Sequence, residues 1–238
     1  LFVMSTVPNA VHFLNGQFVQ EDALTISVRD LGFSRGYAVF DFFVTYDRVP
    51  FMLSAHIDRL YNSAQMIGLQ LPWTKAQLTQ WTLGTLDQNQ DKKDKAIKII
   101  ISGGVSSTLL PSSDPTIVII VDDHHMSPSE YYTHGIGVTM VKHTRYTPAA
   151  KTNNYIEAVK QVQLAVGVGA LEPVYYNDIQ VFEGSNSNIF ACIDGKLVTP
   201  ASNMLRGITR EVLLKILKLD IPVEEVDFSV DVLRNADE

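Results

Sequence analysis

The strand-like runs of this 238-residue chain are closed by tight turns rather than by helices, which removes most of the ways it could fold. Asn15-Gly16 joins Val11–Leu14 to Gln17–Val19, and Asn-Gly tolerates the positive φ of a type I′ hairpin turn. Tyr37–Tyr46, rich in Val, Phe and Tyr, is turned back by Asp47-Arg48-Val49-Pro50 into Phe51–Leu53. Asp194-Gly195 links Asn188–Ile193 to Lys196–Thr199. Helical periodicity is confined to a few stretches. Ile57, Leu60, Tyr61, Ala64 and Ile67 follow Ser54, read as an N-cap, with Gly68 as the stop. Thr74 opens a second helix carrying Leu78, Trp81 and Leu86; a third covers about Ile156–Val166; Gly207-Ile208-Thr209-Arg210 opens a fourth reaching Leu217. Hairpins with a few helices beside them define an α+β class, not a doubly wound sheet.

Further strands are expected at Ala96–Ser102, Thr116–Asp122, Gly137–His143, Pro173–Tyr176 and Ile179–Phe182. Between them, Asp122–Tyr132 reads DDHHMSPSEYY, which is linker composition. The expected division is an N-terminal α+β domain over residues 1–122, a linker over 123–133 and a C-terminal domain over 134–238. His124 and His125 lie side by side in that polar loop and are read as solvated, not as metal ligands.

Composition excludes several function classes. With 46% hydrophobic and 19% charged residues, the chain can bury a real core. A net charge of −7 argues against a nucleic-acid partner, because phosphate binding needs clustered Lys and Arg. The one basic run, Lys92–Lys95, is interleaved with acid and reads as a solvated turn. Cys192, the single cysteine, sits in the apolar NIFACIDG and is expected to be a buried, inert thiol in a reducing compartment. The first residues lack the basic start and long apolar stretch of a secretory signal, and no apolar run is long enough to span a membrane. A cytosolic protein is expected.

Chemistry concentrates on Lys151, in PAAKTNNY, and Glu183, which opens EGSNSNIF thirty-two positions later. A lysine boxed by small and aromatic residues is desolvated, and burial favours the neutral nucleophile that Schiff-base chemistry needs. A carboxylate can face the ring nitrogen of a bound pyridinium and stabilise its charge. Arg59, in AHIDRLY, shares with His56 the helix stripe opposite the apolar one; it is either a surface arginine or a phosphate clamp. Leu205-Arg206-Gly207-Ile208-Thr209 leads into a helix whose free N–H groups suit an anion, although Thr209 could equally be a simple cap. Gly103-Gly104, flanked by serines, reads as an active-site loop or a plain turn.

FLNGQFV, RDLGFSRGYAVFD, HIDRLY, AAKTNNY, EGSNSNIF and GITR occur in an order that resembles the class IV, fold-type IV, pyridoxal-phosphate (PLP) aminotransferases. That group includes branched-chain and D-amino-acid aminotransferases and 4-amino-4-deoxychorismate lyase. The resemblance implies a smaller N-terminal domain, a larger β-rich C-terminal domain, and a homodimer. It implies that Lys151 carries the cofactor and moves the proton between substrate and cofactor, and that Glu183 pairs with the pyridine nitrogen. Arg59, Ile208 and Thr209 would hold the phosphate, Leu205 would lie against the ring, and Tyr155 would donate to its O3′. Asn188 would order the loop behind Glu183. Phe40 stands where D-amino-acid enzymes tend to carry a tyrosine, and Gly103 and Gly104 would border the substrate.

The expected reaction is ping-pong amino transfer to a 2-oxo acid. A branched-chain or other hydrophobic donor is expected, with Phe33, Tyr37, Phe40 and Phe42 furnishing an apolar wall. The arginine-and-histidine carboxylate trap of D-amino-acid enzymes has no counterpart in Ile97–Ser107, which argues against D-alanine-type specificity. Relatives continue past Asp237-Glu238 into a further strand and turn, so the C-terminal end is expected to be truncated. Two alternatives stand beside transamination. One is the lyase, releasing pyruvate; the other is an inactive relative that only binds.

Overall fold

Three long strands set the architecture. In the computed structural model, which describes residues 10–91, 93–216 and 220–238, β1 (Val11–Leu14), β2 (Gln17–Gln20), β3 (Ala38–Tyr46), β4 (Val49–Pro50), β5 (Lys95–Ser102) and β6 (Thr116–Asp123) form one sheet. Its order is β2-β1-β6-β5-β3-β4, antiparallel throughout. Pleat alternation gives β3, β5 and β6 two distinct faces. Val39, Phe43, Ile97, Ile99, Ile101, Ile117, Ile119 and Val121 point into a core closed by two helices, α2 (Leu53–Met66) and α3 (Lys75–Asp87). The opposite face carries Ala38, Phe40, Phe42, Lys98, Ile100 and Ser102, as the Ala38↔Ser102, Phe40↔Ile100 and Phe42↔Lys98 pairs require. A short helix, α1 (Leu31–Arg35), is capped by Asp30, whose carboxylate accepts the Gly32 amide at 2.7 Å.

The chain divides into two compact units. One holds the described residues up to Ser127 together with Ala150–Asn154; the other holds Pro128–Ala149 and Tyr155–Glu238. The second unit contains α4 (Glu130–Thr133), β7 (Val138–Lys142), α5 (Ile156–Gly167), β8 (Glu172–Tyr176), β9 (Val181–Gly184), β10 (Ala191–Ile193), β11 (Lys196–Thr199), α6 (Ile208–Lys215), β12 (Val223–Glu225) and α7 (Val230–Arg234). These make two three-stranded sheets, β7-β8-β9 and β10-β11-β12. The parallel pairs, β7 with β8 and β11 with β12, are each joined through a helix, as parallel strands need.

Several boundaries differ from the expectations for physical reasons. The Lys151 segment groups with the first unit rather than the second, and the first unit also carries the larger sheet and more of the chain. Ser54 does not cap α2: Met52, at φ 49°, is the N-cap, and no side chain bonds there. The side chain of Asn177 accepts the amides of Ile179 and Gln180, both at 2.9 Å, which delays the next strand to Val181. Asn188 bridges Glu183, so the following strand begins at Ala191. Thr74 and Gln77 form a complete capping box, and Gly68 takes the left-handed φ of 72° that ends α2. α6 runs to Lys215 with Ile216 as its C-cap; the expected end at Leu217 lies outside the described residues.

Candidate active site

Lys151 lies in a segment pinned to β3 by an isolated bridge. The Phe40 amide donates to its carbonyl at 3.0 Å, the Asn153 amide donates to the Ala38 carbonyl at 3.0 Å, and Val39 bridges Thr152. The Lys151 amide is fixed too, donating to Ser63 Oγ on α2 at 3.0 Å. Because Thr152 pairs with core-facing Val39, alternation sends Lys151 and Asn153 to the opposite face. There the Lys151 Nζ lies over the Phe40 ring, 4.6 Å from its centroid.

A second ammonium meets the same ring. Lys98 Nζ lies 5.1 Å from the Phe40 centroid, and no carboxylate among the described residues pairs with it. Lys95 on the same strand contrasts with it, being held by Asp91 and Asp123 at 2.7 Å each. Burial alone holds the Lys98 pKa below the ordinary lysine value. Next to these residues, the same sheet face borders a cavity of about 240 Å³ lined by Ile26, Phe33, Ile100, Ser102, Val118 and Asn153, among others. Gly103 and Gly104 do not line it. A Cβ on Gly103 would come within 2.7 Å of Tyr37, and one on Gly104 within 2.4 Å of the Asp114 carbonyl, so both glycines serve close packing. Tyr37 is likewise turned away, its hydroxyl donating to the Ile67 carbonyl at 2.9 Å. Lys98, not an arginine or histidine, is the cation that this strand supplies.

On the core-facing side, Asp41 is fully buried and saturated. Its Oδ1 accepts from the Phe42 amide at 2.8 Å, from His56 Nδ1 at 2.7 Å and from Arg59 Nη2 at 2.7 Å, and its Oδ2 accepts from Arg59 Nε at 2.9 Å. Burial pushes the Asp41 pKa up, but the bonds from His56 and Arg59 outweigh it and hold the carboxyl below the usual range. His56 therefore does not lie on a solvated stripe. It is 5% exposed, packed against Phe43 at 4.8 Å between centroids, and burial lowers its pKa despite the Asp41 carboxylate.

The second unit carries Glu183 on β9, 6% exposed. Its Oε1 accepts from Arg145 Nε at 2.8 Å and its Oε2 from the Leu205 amide at 3.0 Å. Arg145 was missed in the sequence; its position 38 residues before Glu183 carries no local signal. Asn188 Nδ2 donates to the Leu205 carbonyl at 2.8 Å, and Asn188 Oδ1 lies only 2.0 Å from where a Gly207 Cβ would stand. That contact explains the glycine. Gly207 is the N-cap of α6 and makes no side-chain cap bond, so Thr209 sits inside the first turn rather than capping it. Tyr155 is the N-cap of α5. Nearby Tyr175 is pushed up to about 12, mainly by burial. The described residues include no group of three His, Cys, Asp or Glu able to hold a metal, and none of their helices is long and apolar enough to cross a membrane.

The first unit thus presents a lysine against an apolar sheet face; the second presents a buried carboxylate held by an arginine and a glycine-capped helix start. Residues 38–238 match the model of the amino-transferase class IV family, and the chain belongs to that family. It is 33% identical to a D-alanine aminotransferase of Staphylococcus aureus over 95% of this chain and 82% of the relative. It is 35% identical to a putative branched-chain-amino-acid aminotransferase of Methanocaldococcus jannaschii over 95% of this chain and 81% of the relative. A solved T.th. branched-chain aminotransferase with pyridoxamine 5′-phosphate matches with a TM-score of 0.89 at 25% identity, covering 98% of this chain and 82% of that one. The chain is an aminotransferase of mixed helix and sheet.

Proposed function

We propose that the protein uses PLP to move an amino group from an amino acid with an apolar side chain to a 2-oxo acid bearing a second carboxylate. The observation that carries this reading is the pair of ammonium groups, Lys151 and Lys98, flanking Phe40 on one apolar face.

The residues fit the cofactor by their chemistry. Gly207 leaves open a start of α6 that a Cβ would fill, and helix-start N–H groups suit a phosphate. Arg59, in the first unit, carries the planar guanidinium that the family resemblance assigns to a phosphate. Glu183, held by Arg145, suits a protonated ring nitrogen, with Leu205 against the ring and Tyr155 as a donor to its oxygen. When bound, PLP supplies a carbonyl that condenses with amines and a ring that withdraws electrons from the substrate Cα.

The chain's own groups do the rest. Lys151 takes the proton from Cα and returns it one position away, its backbone fixed on three sides so that only the side chain swings. Glu183 would accept a hydrogen bond from a protonated ring nitrogen and stabilise its charge. Ile26, Phe33, Ile100 and Val118 exclude water around an apolar side chain. Lys98 receives a carboxylate, which would end its standing as a half-buried cation without a counter-charge. The negative charge and single cysteine support a cytoplasmic setting, and the family resemblance supports a homodimer.

The test is product analysis with PLP, one amino donor and one 2-oxo acid at a time. The reading requires new amino acid to form from 2-oxoglutarate or oxaloacetate at lower KM than from pyruvate. Pyruvate released from aminodeoxychorismate with no acceptor present would instead favour the lyase.

A further inference from the structure

We propose that Asn153 holds the α-carboxylate of the substrate: its carboxamide stands on the same sheet face as the Lys151 amine, at one end of the apolar cavity, and donates to the one group that amino acids and 2-oxo acids share. The inference rests on the reading of Lys151 as the residue that moves the Cα proton, and it adds what turns Cα toward that amine.

The bridge between Val39 and Thr152 sets Lys151 opposite Phe40 and Asn153 opposite Ala38, and the Asn153 amide donates to the Ala38 carbonyl at 3.0 Å. Two residues of extended chain separate Lys151 and Asn153 by about 7 Å, with both side chains on one face. The row that Asn153 begins runs on across the sheet through Ala38, Ser102 and Thr116. Ala38 is small, and the cavity fills the space beside Asn153. The polar side chains lining that cavity are not alike. Asp30 and Ser102 satisfy each other at 2.8 Å, and Asp30 also accepts the Gly32 amide at 2.7 Å. The half-buried Asn153 carboxamide makes no hydrogen bond to the described residues. The Thr116 hydroxyl is uncommitted too, but it stands three strand spacings off, about 14 Å, too far to share one small group with Asn153.

The ordinary alternative is a turn asparagine, whose side chain bonds the backbone beside it. Asn177 does this, accepting the Ile179 and Gln180 amides at 2.9 Å. Asn153 does not, although it lies in a bend. What its position fixes is a constant distance from Lys151. Side chains differ from one substrate to the next, whereas the α-carboxylate always lies one bond from the carbon whose proton moves. A donor at fixed distance from the amine suits that group. Lys98, paired with Phe42 on the other side of Phe40, is left for a second carboxylate. A carboxamide N–H to a carboxylate is a charge-assisted bond, and apolar surroundings strengthen it.

The experiment titrates the PLP-loaded protein with leucine, in the enantiomer that the parent binds, and with 3-methylbutylamine, the same molecule without its carboxylate. The readout is the first absorbance change of the bound cofactor, with no acceptor present. Asn153→Ala is expected to weaken leucine binding about tenfold or more while changing amine binding less than about twofold. Asn153→Asp, which sets a like charge against the carboxylate, is expected to weaken leucine further and to leave the amine unchanged or bound more tightly. Asn153→Gln is expected to recover part of the leucine affinity. Equal losses for both compounds in Asn153→Ala, or loss of PLP itself, would make Asn153 a structural residue. An unchanged leucine titration in Asn153→Asp would place the carboxylate elsewhere; each of these results overturns the proposal. A parent that holds PLP but responds to neither compound would overturn the transamination reading itself, and this inference with it.

Discussion

The carbonyl of Lys151 accepts the amide of Phe40 at 3.0 Å, so the lysine, although it lies outside the strands, has its backbone pinned to β3. Its neighbour Thr152 bridges Val39, and Phe40 supplies the surface on which the amine rests.

The carboxylate on β9 should matter for turnover more than for cofactor retention. Glu183→Gln keeps a hydrogen-bonding group beside Arg145 but removes the charge that stabilises a protonated ring nitrogen. Loss of one such electrostatic contact typically lowers kcat about 100-fold or more. Steady-state rates and cofactor content measured together check this, and equal loss of both would reduce Glu183 to a packing role.

Lys98→Met gives a prediction with two arms. Losing a charge-assisted bond should raise KM for a dicarboxylic 2-oxo acid roughly tenfold to 100-fold, with pyruvate little affected. Losing a half-buried cation without a counter-charge should leave the melting temperature unchanged or higher. A stability loss with no change in substrate preference contradicts the assignment.

Folded-state burial lowers the pKa of His56, the Asp41 carboxylate opposes the shift, and the charges of Arg59 and Lys151 assist it. A depressed folded pKa means that the associated stability is present above the unfolded value, about 6.5, and is lost as pH falls toward the folded value. The lowered Asp41 pKa acts in the same direction at more acid pH. Thermal melts should therefore fall between about pH 7 and pH 5, and His56→Gln should flatten that decline.

Gly207→Ala tests the start of α6. Its new methyl would collide with Asn188 Oδ1, and an unrelieved overpacking of this kind costs about 1–3 kcal/mol. The double variant Gly207→Ala with Asn188→Ala should regain much of the melting temperature, since the obstructing oxygen is gone.

How much of this was legible in the sequence depends on how local each signal is. The Thr74 cap and the Gly68 stop are written within a few residues and stand as read, with Gln77 completing a capping box. Lys151 and Glu183 stand out in the sequence because their neighbours form recognisable motifs, not because spacing shows contact. His56 was misplaced because stripe logic sends a polar residue outward, whereas Asp41 on a strand fifteen residues earlier draws it in. Arg145 is tied to Glu183 only through the fold. Lys98 sits within a strand of isoleucines, where only the pairing with Phe42 shows that it faces the same side as Phe40.

The most direct measurement is a single half-reaction: the PLP-loaded protein mixed with one amino acid and no 2-oxo acid acceptor, followed by absorbance and by assay of the released acid. The account predicts close to one equivalent of 2-oxo acid per site from at least one amino acid with an apolar side chain. It predicts none from Lys151→Ala. A protein that binds PLP through Lys151 yet releases no 2-oxo acid from any amino acid would contradict it.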